Sequence, residues 1–462
     1  MSNTTTAQFQ EDSSCGTVDV LHVPFTYFPD AIGGTEVYVA GLVSALREQG
    51  VSGAVAAPGE TERVYEHEGT TIFRFARDRH QELAHAYGQP DEDALQSFLS
   101  VLARTRPHIV HMHARTAAVS DRLVDAAHGI GAKVVFTYHT PTVSCVRGTM
   151  MHMGRTPCDG RLNRHRCVVC TLQGRGVPSL LGEGIATLPQ SIGEILGHAN
   201  CSGGLLTALR MPTLVGDSHK RFHALMEKVD RIVVVSEWVG AVLRINDVPQ
   251  AKLTLCRQGM TRQSIDSVRQ PFDTPSRAAR AALRLGFFGR LDPTKGVDIL
   301  IDALQCAPDA RVTLDIYGVR QPNSEKYVSR IERAASVDSR VVLHPALNPA
   351  SVIATMHELD LIVIPSRWLE TGPLVALEAF AAGVPVLGSR LGGIMELITD
   401  DVDGVLVAPA DPIALGSTIA SLARDADRVA RLRRNVRQPR TMEDVGAEMA
   451  ALYQILLAGD GH

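Results

Sequence analysis

Two glutamates eight positions apart, Glu370 and Glu378, stand around the predicted start of a helix. The apolar run 359–364 predicts a strand, and 371–373 (TGP) predicts a loop whose proline suits a first helical turn. Glu370 is then expected on the loop and Glu378 in the second turn of the helix. Free N–H groups at such a helix start favour a phosphate-bearing ligand. The two carboxylates can accept hydrogen bonds from sugar hydroxyls.

Two cations lie on the turn 289–296 (GRLDPTKG), which follows one predicted strand and precedes a helix from Val297. The guanidinium of Arg290 binds oxyanions as a planar fork, and the ammonium of Lys295 binds them as a point charge. Beside a helix start, this pair could neutralise a diphosphate. The alternative is a surface turn with ordinary charges.

Two histidines, His111 and His113, end the apolar strand 108–113 (HIVHMH) and share one of its faces. Ligands of open α/β sheets meet the carboxyl ends of the strands, so this is a functional location. Three interpretations are open: a hydrogen-bonded structural histidine, a sugar-binding or polarising histidine, and half of a metal site. His139, at the end of the next predicted strand, is a further candidate.

Adjacent glycines, Gly33 and Gly34, follow the first predicted strand, 18–23, and open a helix. Because glycine lacks a Cβ, such a pair lets the backbone come close to a ligand. A tight turn with no ligand is the alternative interpretation.

A segment of almost 80 residues between His139 and Ser218 breaks the alternation of strands and helices. Its first half contains four cysteines: Cys145, Cys158, Cys167 and Cys170. The spacing of the last two is that of a metal knuckle, and four thiolates can bind zinc as a closed structural site. An iron–sulfur cluster and free thiols packed in a small subdomain are the alternatives.

The remaining pattern predicts an α/β fold of two Rossmann-like, doubly wound parallel sheets that face each other across a cleft. No GxGxxG follows a strand, so nothing supports a dinucleotide cofactor. The predicted parts are a disordered lead-in at 1–16, an N-terminal domain at 17–268 with a cysteine-containing insertion at about 140–217, a linker at 269–280, a C-terminal domain at 281–440, and a helix at 441–458 that packs back on the first domain.

Composition excludes several classes of protein. A formal net charge of -4 over 462 residues, with no basic tract, gives no reason to expect a nucleic-acid partner. No stretch is long and apolar enough to predict a membrane-spanning helix. The lead-in lacks the features of a signal peptide, which predicts a cytoplasmic protein with reduced cysteines.

The segment around the two glutamates resembles the EX7E segment of retaining GT-B glycosyltransferases, in particular family 4. The matching residues are Pro365-Ser366, Glu370, Gly372, Glu378-Ala379 and 382–386 (AGVPV). The turn at 289–296 is similar to the family's GRL…KG motif, and the resemblance runs from Val18 to Leu457. It implies transfer of a sugar from a nucleotide-sugar donor, UDP- or GDP-linked, to a hydroxyl acceptor, with no metal cofactor for catalysis.

The resemblance also implies roles for particular residues. The implied catalytic residues are Glu370, His113, Arg290 and Lys295, with Arg290 and Lys295 holding the donor diphosphate. The implied donor-binding residues are Gly33, Gly34, Arg290, Lys295, Glu370, Gly372, Pro373, Leu374, Glu378, Gly392 and Gly393.

Three features of the sequence bear on subgroup and substrate. Cys145, Cys158-Asp159-Gly160 and the pair at 167–170 resemble a family 4 subgroup, which implies a structural zinc. Met395 replaces the usual proline of the turn that contains Gly392 and Gly393. The segment 317–320 lacks a second glycine that the family usually has near the nucleotide base, so the base is not assigned.

Alternatives remain at the level of function. A glycoside hydrolase would use the two carboxylates as acid and base, but has no diphosphate to hold. A GT-B sugar-nucleotide epimerase would need no acceptor, and a catalytically silent sugar-nucleotide-binding protein or a scaffold would need no turnover. The apolar segment 173–217 either packs on its own core or forms a surface for a lipid-linked acceptor or the membrane face.

Overall fold

Two sheets, each with apolar cores on both faces, build the α/β fold that the sequence predicts. The computed structural model describes residues 17–30, 33–79, 82–198, 203–262, 265, 282–322 and 324–459. The predicted lead-in at 1–16 and linker at 269–280 lie outside these ranges. None of the described helices is long and apolar enough to cross a membrane.

The first sheet has the strand order β10-β9-β6-β5-β1-β2-β4-β3 and is parallel except for its edge strand β3. Its strands are β1 (Val20–Val23), β2 (Gly53–Gly59), β3 (Arg63–His67), β4 (Thr70–Ala76), β5 (Ile109–Met112), β6 (Lys133–Tyr138), β9 (Arg231–Val234) and β10 (Leu253–Leu255). The helices that pack on it are α1 (Gly34–Glu48), α2 (Glu92–Thr105), α3 (Asp121–Gly129) and α8 (Glu237–Ile245).

The insertion folds as a small hairpin and a helical group between β6 and β9. Its elements are β7 (Met151–His152), β8 (Thr156–Pro157), α4 (Arg164–Gly174), α5 (Ser179–Ala186), α6 (Gln190–His198) and α7 (Gly204–Lys228). A core of its own forms around Val168, Leu172 and Met211, all almost fully buried. The segment therefore packs on itself, while several of its leucines stay exposed.

The second sheet is fully parallel, in the order β13-β12-β11-β14-β15-β16. Its strands are β11 (Leu283–Arg290), β12 (Val312–Val319), β13 (Val341–His344), β14 (Leu361–Ile364), β15 (Val386–Ser389) and β16 (Gly404–Val407). Its helices are α9 (Val297–Gln305), α10 (Glu325–Ser336), α11 (Pro349–His357), α12 (Leu374–Ala381), α13 (Gly392–Leu397), α14 (Pro412–Arg424) and α15 (Ala426–Arg434).

The last helix, α16 (Met442–Ala458), lies against α1 and completes the core of the first domain. The two crossings of the chain between the domains lie side by side. Met260 of the first crossing and Thr441 of the second form a parallel bridge. A Cβ on Gly446 would lie 2.8 Å from the Cβ of Ala45, so the two helices touch at a position that only glycine fits. This packing explains why the C-terminal segment belongs structurally to the first domain.

The structure differs from the sequence-based expectation at four places. Apolar spacing predicts helices at about 116–129 and 218–228, but the first begins only at Asp121, and the second is the end of α7, which starts at Gly204 and contains Pro212. The edge strand β3 was not predicted, since its residues (RVYEH) are mostly exposed and carry no apolar run. Pro373 is the N-cap of α12 rather than part of its first turn.

Replacing Gly446 by valine should loosen α16 from α1, because overpacking at a buried contact costs about 1–3 kcal/mol. The matched control is Ala451→Val, which places the same side chain at an exposed position of the same helix. Urea unfolding is expected to show a clear loss for Gly446→Val and a small change for the control. Equal effects of the two variants would mean that the helix contact contributes little.

Candidate active site in the cleft

The carboxyl ends of strands from both sheets meet at one place, and the loop after β14 lies at its centre. Glu370 is on this loop and Glu378 is in the second turn of α12, as the sequence predicts. Across the cleft, a Cβ on Gly34 would lie 2.9 Å from the side chain of Leu374. The paired glycines at the start of α1 therefore face the start of α12 directly.

The carboxylate of Glu370 is buried and held by two groups of its own domain. Lys295 Nζ lies 2.6 Å from its Oε1, and Ser366 Oγ donates a hydrogen bond of 2.9 Å to the same oxygen. Only 6% of Glu370 is exposed, so this ion pair sits where the dielectric is low and charge interactions are strong. The second carboxylate oxygen is left for other partners.

The backbone of Glu370 is fixed from both domains. Trp238 of the first domain donates its indole N–H to the Glu370 carbonyl at 3.0 Å, and the N–H of Gly393 donates to the same oxygen at 2.6 Å. A side chain at Gly392 would collide with the backbone of Glu370, and that glycine has a φ of +45°. The predicted glycine pair thus serves close backbone packing on the loop that carries Glu370.

Lys295 is placed by a short turn that ends in a left-handed glycine. Asp292 accepts a 2.8 Å hydrogen bond from the N–H of Thr294, and Gly296 has a φ of +72°. A Cβ at Gly296 would overlap the carbonyl of Pro365, so the turn is pressed against the loop after β14. The ammonium of Lys295 also lies 5.1 Å from the centre of the Trp368 ring, a cation–π distance.

Arg290 ends β11 and differs from Lys295 in having no partner. Within the part of the chain that the structure describes, no carboxylate or carbonyl accepts a hydrogen bond from its guanidinium, which is partly exposed. An unpaired planar fork at the carboxyl end of a parallel strand suits an oxyanion.

Of the carboxyl groups at the site, that of Glu378 has the least polar surroundings. Burial raises its pKa to about 7, because the charged form loses hydration. The group is therefore divided between its neutral and charged forms near neutral pH, and it can donate or accept a hydrogen bond accordingly.

His113 is buried in a chain of histidines under the cleft. Its Nε2 lies 3.1 Å from His22 Nδ1, and its Nδ1 lies 3.0 Å from His139 Nε2. Both of its ring nitrogens are therefore engaged by other histidines in this structure. Burial lowers the pKa of His22 and His139 to about 3, so all three rings pack as neutral imidazoles.

His111 points to the same side of β5 but takes a structural role. Its Nδ1 lies 2.6 Å from the hydroxyl of Tyr453 on α16, and its Nε2 lies 2.6 Å from the hydroxyl of Thr137. Among the described residues, ligand atoms of His22, His111 and His113 come within 4.8 Å of one another. The hydrogen bonds on these rings favour a neutral polar cluster over a metal site.

Further contacts across the cleft involve residues that the sequence analysis did not single out. Glu396 accepts hydrogen bonds from the first N–H groups of α8, at Glu237 (2.8 Å) and Trp238 (2.9 Å). The hydroxyl of Thr371 donates to the carbonyl of His139, and the N–H of Leu369 donates to Thr149 at 3.1 Å. One signal could have pointed to Trp238: it lies in the first turn of α8, the helix that follows the carboxyl end of β9, where ligands bind.

The four insertion cysteines line one small cavity of about 30 Å³. Cys170 Sγ accepts a hydrogen bond from the N–H of Met153 at 3.1 Å and lies 3.6 Å from Arg147 Nη1. In the described part of the chain, no three of the thiols lie within 4.8 Å of one another. Their type and convergence fit a zinc site, but the thiols would have to move closer to share one ion.

Two family models match the chain, one in each domain. Residues 276–439 match "Glycosyl transferases group 1", and residues 32–171 match "Glycosyltransferase Family 4". Sucrose-phosphate synthase from Thermosynechococcus elongatus has a similar structure, with a TM-score of 0.66 at 18% identity over 96% of this chain and 100% of that one. The chain has the GT-B fold. Its N-terminal domain resembles family 4 proteins, and its C-terminal domain matches the group 1 glycosyltransferase model.

Other proteins are similar to this GT-B chain in sequence or in structure. A D-inositol 3-phosphate glycosyltransferase of Xylanimonas cellulosilytica is 34% identical over 148 residues, which is 32% of this chain and 35% of that protein. An Anabaena protein in complex with UDP-glucose has a TM-score of 0.59 at 16% identity, over 95% of this chain and 99% of that one. The chain thus spans about a third of the length of that curated relative, and the structural neighbours share its fold.

The buried histidines of this GT-B chain should make it sensitive to acid. Since the folded pKa of His22 is about 3 and the unfolded value is 6.5, the unfolded state binds more protons between these limits. Stability is therefore retained above pH 6.5 and lost as the pH falls below it, by about 1 kcal/mol for one such histidine between pH 7.5 and 5.5.

Urea unfolding at pH 7.5 and 5.5 measures this loss. His22→Gln cannot take up the proton, so it should show the smaller loss of unfolding free energy between the two pH values. His198→Gln, on an exposed histidine of α6, is the control and should lose as much as the unchanged protein. If His22→Gln lost as much unfolding free energy between the two pH values as the control, His22 would not be the buried neutral histidine that the pKa shift indicates.

Proposed function

We propose that the protein is a retaining glycosyltransferase that moves a sugar from a nucleotide-sugar donor to a hydroxyl acceptor. The observation that carries the proposal is the arrangement of Arg290, Lys295 and Glu370 at the carboxyl ends of β11 and β14. The strands β11 and β14 are neighbours in the second sheet, so two cations and a carboxylate follow one edge of that sheet, where a diphosphate and a sugar can be held side by side. The family 4-like and group 1 domains support the same reaction class.

In this proposal, Arg290 and Lys295 stabilise the diphosphate as it leaves. Negative charge grows on the leaving phosphate in the transition state, so fixed cations stabilise that state more than the ground state. Lys295 is held by Glu370, which orients the ammonium, whereas Arg290 has its guanidinium free for the phosphate oxygens. Lys295 thus supplies a charge in a fixed position, and Arg290 binds the phosphate oxygens through its free guanidinium.

Glu370 and Glu378 would hold hydroxyls of the donor sugar and the ribose. The free oxygen of Glu370 accepts from the sugar, and Glu378 accepts from the ribose in its charged form. His113 lines the reacting face, and its ring would exchange its hydrogen bond to His139 for one to substrate. The backbone amide of Gly392, with the starts of α1 and α12, supplies further donors.

A UDP-linked sugar is the proposed donor. The Anabaena neighbour with UDP-glucose supports UDP over GDP. No metal is proposed for the chemistry, because Arg290 and Lys295 already supply positive charge at the diphosphate. A structural zinc is proposed at the four cysteines, where four thiolates would leave no ligand position open for substrate.

Calorimetric titration of UDP, GDP and ADP tests the donor site. UDP is expected to bind, and Arg290→Ala with Lys295→Ala should weaken binding by about a hundredfold, since hydrogen bonds between charged groups are strong. The control is Arg424→Ala with Lys326→Ala, which removes two exposed cations of the same domain. Absence of binding for all three nucleotides would overturn the proposal.

Turnover separates the transferase from its alternatives. Glu370→Ala should abolish sugar transfer while the protein still folds and binds nucleotide. A protein that merely binds sugar nucleotides would lose affinity at most, and an epimerase would convert the donor with no acceptor present. Conversion of UDP-sugar without any acceptor therefore favours the epimerase.

We also propose that the insertion contacts a membrane surface. Leu180 of α5 is 89% exposed, Ile195 of α6 is 68% exposed, and Leu205 of α7 is 64% exposed. These side chains lie on neighbouring helices of one helical group, whereas exposed leucines of an ordinary surface are scattered.

Flotation with vesicles that contain anionic lipid tests this contact. The unchanged protein should float with the vesicles, and Leu180→Glu with Leu205→Glu should stay behind, because charge at these positions opposes insertion. The control, Val337→Glu with Ile413→Glu, changes two equally exposed apolar residues of the second domain and should float. Failure of the unchanged protein to float would argue against membrane contact.

A further inference from the structure

A cavity of about 780 Å³ lies in the first domain. We call it the arginine cavity, because five arginines line it: Arg63, Arg74, Arg77, Arg115 and Arg147. The carboxylates in its lining are Asp30 and Glu60, so cations exceed anions there. The lining of the cavity therefore carries more positive than negative charge, although the whole chain has a formal net charge of -4.

Two of the five arginines are occupied by the fold. Arg74 is 7% exposed and donates to the carbonyl of Tyr27 at 2.6 Å and to Asp30 at 3.1 Å. Arg147 donates to the carbonyl of Cys170 at 3.2 Å, which turns its guanidinium toward the cysteines. These two side chains shape the walls and do not offer free hydrogen-bond donors to a ligand.

Arg115 is a half-buried cation that makes no salt bridge within the described residues. Its guanidinium donates to the carbonyls of Val143 (3.0 Å) and Ser218 (2.7 Å), and within the described residues no carboxylate lies within 4.0 Å of it. Burial lowers its pKa to about 10, so it stays charged at neutral pH. A charge removed from water in this way is stabilised by an anion that shares its surroundings.

Arg63 is exposed, and its guanidinium lies 5.1 Å from the centre of the Tyr65 ring. Arg77 offers free donors on the wall of the cavity. Its backbone N–H bonds to the carbonyl of Gly59, but its guanidinium has no hydrogen-bond or ionic partner in the described ranges. It is half-buried at the end of β4, on the wall of the cavity. A planar fork held there can bind a phosphate or carboxylate through two parallel hydrogen bonds.

The loop after β6 forms part of the arginine cavity and also contacts the loop that carries Glu370. Thr142 and Gly148 line the cavity, while Thr149 accepts a hydrogen bond from the N–H of Leu369 at 3.1 Å. At the other end of the same loop, the carbonyl of His139 accepts from Thr371. One segment of the first domain therefore both lines the cavity and contacts the loop that carries Glu370.

We propose that the arginine cavity binds the acceptor through an oxyanion, so that the acceptor is a sugar-sized molecule bearing a phosphate or a carboxylate. The volume suits one or two sugar units, since ligand pockets commonly measure about 300–1,000 Å³. Arg77 binds the oxyanion directly, and Arg115 supplies the half-buried charge behind it. The identity of the occupant as the acceptor rests on the proposed transferase function, whereas the oxyanion site itself does not.

The test titrates inorganic phosphate, D-glucuronate and D-glucose by calorimetry into the Arg290→Ala, Lys295→Ala protein, whose donor site no longer competes for anions. Phosphate or glucuronate should bind and neutral glucose should not. Adding Arg77→Ala, or the polar variant Arg77→Gln, should weaken oxyanion binding about tenfold or more. The control is Arg122→Ala, an exposed arginine of the same domain that should leave binding unchanged. Thermal unfolding of each variant checks that it is folded.

Absence of binding by both oxyanions, or equal affinity with and without Arg77, overturns the proposal. Binding that is weakened equally by Arg122→Ala overturns it as well, because the effect would then be one of overall charge. The UDP titration of the unchanged protein is read separately. Failure of UDP to bind, with Arg77-dependent oxyanion binding intact, removes the transferase function and leaves the oxyanion site.

Discussion

The ion pair between Lys295 and Glu370 is the interaction on which the cleft depends. It joins the turn after β11 to the loop after β14, and it is buried enough that neither charge is satisfied by water alone. Removal of one partner would leave the other as an unpaired buried charge, which costs several kcal/mol in typical proteins. The pair thus fixes the position of the two groups that face a donor and leaves Arg290 free beside them.

The two domains meet on the backbone of the same loop. Trp238 reaches the carbonyl of Glu370 from the first domain, and Glu396 reaches back to the start of α8. A small apolar cluster around Leu369 and Val242 packs beside these hydrogen bonds, so both directional and apolar contacts join the two domains at this loop.

Positive charge lines both sides of this cleft although the whole chain is acidic. The second domain presents Arg290 and Lys295, and the first presents Arg77 and Arg115. A donor with a diphosphate and an acceptor with an oxyanion would repel each other in water. Separate cations for each can bring the two molecules together, because each negative charge is neutralised on its own side before the sugars meet.

The sequence alone determined the local parts of this protein. Glu370 on its loop, Glu378 in the second helical turn, and the α/β fold of two parallel sheets all follow from patterns within short windows, since apolar period and glycine position depend on neighbouring residues. Tertiary structure alone decided the contacts between distant segments. Trp238 and Glu370, His22 and His113, or Arg77 and Arg115 lie far apart in sequence, and no local pattern encodes their meeting. They come together because parallel sheets gather the carboxyl ends of separate strands at one edge.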